Sequence, residues 1–306
     1  MSPTRSIVAL LAFPGILYAL PMSWLMLGLE RKLKARFQGR IGPPLSQPFY
    51  DLVKLLAKAP VARGGAEAAA LAALPILAVG SMLGALALLP VLRGGSGFAG
   101  DLILFVGLLE MPPLCLVLAG YASRSIYGQV GATREAILGI ASNVPFLAAL
   151  LAMAAGAGSL RLADIALTTP WAVRAPALLA ILACLPVKLR ENPFSVANAE
   201  QEILAGALTE VDGRRLALWE LAHGLELVAL AGFAAVLAVP LRSGAWAVDA
   251  LAFALLSLAL VPAIALLASA TARLKLAQVT RLLWRGASLA AAAALGLALL
   301  ARHGGP

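Results

Sequence analysis

The stretch VKLRENPFSVANAEQEILAGALTEVDGRRL, residues 187–216, decides how the chain is read. It holds Glu191, Glu200, Glu202, Glu210 and Asp212, five of the 15 acids in the sequence, flanked by Lys188, Arg190, Arg214 and Arg215. So many charges cannot lie in hydrocarbon, and the segment is longer and more patterned than a hairpin turn. Almost everything on either side of it is apolar and helix-forming. The remainder therefore reads as a scaffold that holds this loop, and a basic loop nearer the N-terminus, at one membrane face.

Composition supports that reading. Of 306 residues 61% are hydrophobic, mean hydropathy is +0.92 and only 13% are charged, about half the charge of an ordinary soluble domain. Apolar runs near 20 residues long recur along the whole chain, the mark of an all-α polytopic membrane protein. A soluble two-domain protein and a β-barrel of short alternating segments are both excluded by this pattern. The net charge of +9 does not indicate nucleic acid, because the basic residues sit between spans and favour one side; they read as topology signals and lipid headgroup contacts. Cys115 and Cys184 lie in apolar runs and read as packing residues. With no CxxC, histidine cluster or Gly-rich phosphate loop, no cofactor or metal site is expected in the chain itself.

The spacing predicts about eight spans in one integral membrane domain covering 1–306: residues 6–29, 66–91, 98–121, 135–156, 175–188, 217–240, 247–269 and 286–301. The first reads as a retained anchor. Residues 30–65 form a basic loop carrying Arg31, Lys32, Lys34, Arg36, Arg40, Lys54, Lys58 and Arg63. Within it, residues 48–58 alternate an apolar stripe with Asp51, Lys54 and Lys58, as an amphipathic helix in the membrane interface would. In the third span Glu110 precedes Met111, Pro112 and Pro113, which predicts a helix break beside a polar cavity. A turn is expected over 122–134, an outer segment holding Arg161, Asp164, Trp171 and Arg174, and a basic linker over 273–285. Glu220, His223 and Glu226 follow at i, i+3 and i+6 and share one helical face. Assigning loops alternately divides the basic residues 18 to 6. That places both large loops in the cytoplasm and both termini outside, in a prokaryotic inner membrane.

Two segments carry a specific resemblance: GRIGPPLSQPFYDLVKLLAK (39–58) and NPFSVANAEQEILAGALTEVDGRRLAL (192–218). Both resemble the H-type membrane subunit (subunit 1) of respiratory complex I. They are closer to its counterpart in energy-converting membrane-bound [NiFe] hydrogenases and formate hydrogenlyase, and the likeness extends over essentially the whole chain. The resemblance implies a subunit that anchors a peripheral redox arm and links electron transfer to proton or sodium translocation. It implies partners that carry nickel-iron and iron-sulfur centres, including an iron-sulfur small subunit, together with antiporter-like membrane subunits. Quinone is implied only for the complex I branch. Arg40, Gly42, Pro43, Gln47, Pro48, Asp51 and Lys54 look like the family's first loop, and Arg36 and Arg40 read as contacts to headgroups or a docking partner. Pro193, Phe194, Glu200, Glu202, Gly206, Glu210 and Gly213 look like its second. Ser195, Asn198, Asn143 and His223 stand where members commonly carry acids.

The coupling path expected on this basis runs through Glu200, Glu202 and Glu210 in the loop to Glu110, Glu220, His223 and Glu226 in the spans. Plainer roles are open for the same residues: docking salt bridges for Glu200 and Glu202, a snorkelling side chain for Glu220, a packed histidine for His223. Two other classes also remain, a secondary transporter, for which no paired broken-helix repeat is visible, and a purely structural anchor.

Overall fold

The computed structural model describes residues 10–59, 65–91, 97–204, 206–241 and 245–303; the side chains of residues 66, 200, 201 and 303 lie outside it. Among the described residues all regular structure is helical. In chain order the helices are α1 (Ile16–Phe37), α2 (Gln47–Ala57), α3 (Gly65–Leu88), α4 (Asp101–Leu109), α5 (Met111–Ala122), α6 (Ile126–Ala157), α7 (Leu162–Thr168), α8 (Trp171–Lys188), α9 (Glu200–Ile203), α10 (Gly213–Ala238), α11 (Trp246–Ala270), α12 (Leu276–Leu282) and α13 (Ser288–His303). Seven described spans are long and apolar enough to cross a membrane, with α4–α5 and α12–α13 each forming one. Helix α1 is the eighth long helix. Its C-terminal third carries Glu30, Arg31, Lys32, Lys34 and Arg36, so it is not apolar over its full length.

Helix α10 is the centre of the bundle: 83% of its apolar window is buried, against 28% for α11. It packs on α3, α1 and α11. On the other side α6, α8 and α13 pack together. Ala291, Ala294 and Ala298 on α13 are fully buried, as are Ala149 and Ala152 on α6. Stacked small residues let helix backbones approach closely where lipid tails supply no hydrophobic drive.

Several boundaries differ from expectation, each for a local reason. The first loop does not begin at residue 30: α1 runs on to Phe37, through good helix formers and a Glu30–Lys34 pair at i, i+4 spaced 2.7 Å. The expected turn at 122–134 is confined to residues 123–125, and α6 starts at Ile126 and spans 32 residues. Arg174 is not in an outer segment but inside α8 and 2% exposed, because Pro170 starts that helix, a position where proline is tolerated. Helix α10 begins at Gly213, four residues early. The basic linker is helical from Leu276 and joins α13 through a π turn at Leu283–Ala287. The helix break at Glu110 is present but only one residue long. Pro112 and Pro113 cannot donate to the preceding turn, while Glu110 N to Val106 O (3.1 Å) and Leu114 N to Glu110 O (3.2 Å) keep the axis continuous.

The charged loop folds back onto α6 at two glycines. A Cβ on Gly131 would sit 2.7 Å from the Gly206 Cα and 2.8 Å from the Ala207 N, and Gly206 itself has φ +57°. Replacing Gly131 with Val is expected to cost about 1–3 kcal/mol by overpacking and to speed proteolysis within 192–212. Gly139→Ala, on the same helix with nothing within 4 Å, is expected to leave the cleavage rate unchanged.

Candidate functional site

Helix α8 ends in a geometry that normally calls for glycine. Leu189 caps it, Arg190 N donates to Val187 O (3.0 Å), Glu191 N donates to Pro186 O (2.9 Å), and Arg190 has φ +57°. This is the Schellman arrangement, whose left-handed position glycine fills without a Cβ penalty. For another L-residue that conformation costs about 1–2 kcal/mol. The side chain of Arg190 must compensate, and its contacts show how. The guanidinium donates to Glu226, to Glu135 at 3.2 Å and to His223 Nδ1 at 3.3 Å. Only 9% of the Arg190 side chain is exposed, with 6% of Glu135 and 2% of Glu226. A guanidinium only donates, so the contact with Arg190 is a hydrogen bond when His223 is the neutral Nε2–H tautomer, while Glu226 lies 3.9 Å from the same Nδ1. Burial alone would lower the Arg190 pKa, but Glu226 and Glu135 outweigh it and hold the group above its ordinary value.

The neighbours of Arg190 make two further clusters. Lys188 points into the bundle, bonded to Glu110 and, at 2.6 Å, to Asn143 Oδ1, while Asn143 Nδ2 donates to Glu110 at 2.9 Å. The amide closes a triangle in which every partner is met, and Lys188 also lies 4.5 Å over the Phe146 ring. Glu191 turns the other way and pairs with Lys34, which reaches back to Glu30. Burial would raise the Glu191 pKa, but the adjacent Lys34 ammonium holds it below the usual carboxylate range. Thus the four residues Lys188–Glu191 deliver charge to α5 and α6, to α6 and α10, and to α1. A cavity of about 270 Å³ opens between these helices, walled by Glu30, Lys34, Arg190, Glu191, His223 and Glu226. The Trp219 indole N–H and the Asn198 side-chain oxygen belong to the same wall and have no protein partner. Polar groups in a space of this size accommodate ordered water.

The expected residues divide accordingly. Glu226 and His223 meet at Arg190; Glu110 lies in the Lys188 triangle. Glu220 shares their face, lines the cavity, and stands 3.8 Å from Arg31 while 44% exposed. Arg31 also holds Asp51 (2.8 Å), which accepts from Gln47 at 2.9 Å, joining the first loop to α10. Lys54 lines a groove beside this pair. Arg36 and Arg40 are exposed, and Arg40 bonds Gln38. Glu202 lies at the surface, bonded to Arg134 at 2.6 Å, and that bond and charge lower its pKa. Glu210 is in the turn before α10; the Glu200 side chain lies outside the described residues. Ser195 accepts from Arg273 Nε at 3.3 Å, tying the loop to the segment between α11 and α12.

Sequence reasoning missed Glu30, Lys34, Glu135, Lys188, Arg190 and Glu191 as site residues. The signal was present for Lys188–Glu191, a run of charge at the end of an apolar helix with no Gly to end it. Glu135 gave no such signal, standing at the edge of an apolar run where a charge is ordinary. Among the described residues no group of three or more His, Cys, Asp or Glu could hold a metal ion.

Comparison with known proteins places this architecture. The chain is 32% identical over 282 residues to hydrogenase-4 component C of Escherichia coli (strain K12), covering 88% of this chain and 89% of that protein. It is 31% identical over 278 residues to formate hydrogenlyase subunit 4 of the same organism, covering 86% and 90%. Its fold matches a chain in the structure of the membrane-bound sulfane sulfur reductase, an archaeal respiratory membrane complex, with a TM-score of 0.84 and 24% identity over 96% of this chain and 98% of that one. The family described as NADH dehydrogenase matches residues 9–299. With that match over nearly its full length, the chain belongs to the NADH dehydrogenase family, on the side that includes the hydrogenase-4 and formate hydrogenlyase membrane subunits.

Proposed function

We propose that this protein is the coupling subunit in the membrane arm of an energy-converting [NiFe] hydrogenase-type complex. It anchors a peripheral redox arm through the charged loop and the first basic loop, and it links electron transfer to proton or sodium movement. One observation carries the reading: the Lys188–Glu191 run ties the charged loop directly to the buried Glu135 and Glu226 on α6 and α10, to Lys34 on α1 and to Glu110 at the α4–α5 break. A change of charge at the loop surface, where Glu202 and Arg134 meet, acts on clusters in which Arg190 and Lys34 each hold two carboxylates. In low dielectric such a change shifts protonation strongly. Water in the cavity can join the Lys34 and Arg190 clusters. Nickel-iron and iron-sulfur centres belong to partner subunits, among them an iron-sulfur small subunit, and antiporter-like subunits extend the membrane arm.

The setting follows from the same features. Helix α2 exposes Phe49, Tyr50, Val53 and Leu56, which suits a helix lying in the interface of an inner membrane with its apolar face toward lipid. In this reading both loops face the cytoplasm and both termini the other side, which the excess of basic residues in the loops supports.

A second reading, a quinone-cavity subunit of a complex I-like NADH dehydrogenase, draws on the groove between α1, α2 and α10. Trp24, Leu27, Leu52 and Leu55 wall it, with the Arg31–Asp51 pair at its edge. Its walls suit a flat apolar ring, but its volume of about 230 Å³ is below the usual range for ligand pockets, so it stands second.

Purifying the native complex in mild detergent, with subunit mass spectrometry and metal analysis, decides between them. Nickel with a hydrogenase large subunit is expected. A nickel-free module with quinone-dependent activity would support the second reading, and recovery of the chain alone would reject both.

Glu200→Gln with Glu202→Gln is expected to lower coupled turnover several-fold while membrane insertion stays normal; unchanged turnover in an assembled complex would remove these residues from the path. Acid should loosen the loop in a defined window. Because the folded Glu191 carboxylate titrates below its ordinary value, its stabilisation is present above that value and is lost as pH falls through the lowered one. Loop proteolysis in detergent should therefore rise only below the ordinary carboxylate range, and Glu191→Gln should weaken that pH dependence.

A further inference from the structure

On the face opposite the charged loop, a groove of about 780 Å³ runs between the start of α4, the end of α6 and the end of α13. Its floor is small: Ala154 and Ala155 on α6 and Gly158 just past its end. Leu151 and Ile103 form its apolar inner part. From Leu151 to Gly158 is about 10 Å along the helix, so the groove descends from the helix ends toward the hydrocarbon. Arg161 and Arg302 stand at its rim, both exposed.

Among the described residues neither arginine is held in an ion pair. The acids nearest in sequence are engaged elsewhere. Asp101 attracts Arg161 electrostatically, yet it is 1% exposed and accepts from Leu162 N at 2.7 Å. Asp164 accepts from Ser159 Oγ at 2.7 Å. Both arginines line the same largely apolar groove. Two planar guanidinium groups above a smooth apolar floor match a phosphate with an acyl chain beneath it.

We propose that this groove binds an anionic phospholipid of the leaflet opposite the charged loop. The phosphate sits between Arg161 and Arg302, and one acyl chain lies along Ala154, Ala155 and Gly158. Nothing in this depends on which redox complex the chain serves.

The test uses the complex reconstituted in phosphatidylcholine vesicles containing a phosphatidylglycerol probe with a photoreactive acyl chain, with crosslinks mapped by mass spectrometry. Crosslinks are expected on 151–158 and at Ile103, competed by unlabelled phosphatidylglycerol and not by phosphatidylcholine. Arg161→Gln with Arg302→Gln should reduce them roughly tenfold or more, since one arginine near an anionic surface is worth about a fivefold preference. Arg161→Lys with Arg302→Lys should retain most of the signal, and Ala155→Phe, which fills the floor, should lose it with both arginines in place. Equal labelling by a phosphatidylcholine probe, or labelling indifferent to the arginines, would reduce the groove to ordinary lipid contact and overturn the proposal. Absence of crosslinks there, including because a partner polypeptide covers the groove, would overturn it as well.

Discussion

The structure depends on one buried guanidinium. Arg190 occupies a left-handed position at the end of α8 where glycine would fit without strain, and it does so to reach Glu135 and Glu226. Removing a single partner from a buried pair of this kind costs about 3–5 kcal/mol, because it leaves an uncompensated charge in the interior. That exceeds the cost of the backbone conformation, so the charges decide the geometry and not the reverse. The same turn aims Lys188 into the bundle and Glu191 toward α1. One short segment thereby fixes where the loop leaves the membrane and which helices it senses.

The two ends of the bundle are built on different principles. At the charged-loop end, α1, α6, α8 and α10 are joined by ion pairs and by a cavity with unmet polar groups. Away from that end packing is mostly apolar, with small residues such as Ala291, Ala294 and Ala298 of α13 between helices, and the buried Asp101 and Arg174 bond backbone groups. A tight apolar bundle transmits displacement of whole helices, while a polar, hydrated end rearranges its partners. Placing both in one chain suits a subunit that stands between a redox arm and a membrane arm.

Much of this was legible in the sequence. Hydropathy disclosed the helical membrane fold because backbone groups in lipid must bond within their own segment, and the i, i+3, i+6 spacing put Glu220, His223 and Glu226 on one wall. The Met-Pro-Pro run after Glu110 located the helix interruption. Helix ends are hidden where charge suggests loop. Residues 30–36 are rich in charge and 126–134 hold two glycines, yet both are helical, the first through the Glu30–Lys34 pair and the second through packing of Gly131 against the folded loop. The partners were not legible at all. Asn143 looked like a lost acid, but it completes the Lys188–Glu110 triangle as an amide that both donates and accepts. Such pairings join residues 33 to 157 positions apart, and no spacing rule reaches that far.

The most direct measurement is amide hydrogen exchange over residues 189–212 in the intact complex, comparing wild type with Arg190→Gly. Glycine preserves, and even favours, the backbone turn but removes the guanidinium. The account predicts that protection across the loop falls at least about tenfold, the effect of 1.4 kcal/mol, while the buried half of α10 over 228–237 is unchanged. Protection equal to wild type would show that the turn alone holds the loop, and would contradict the central role of the buried charge.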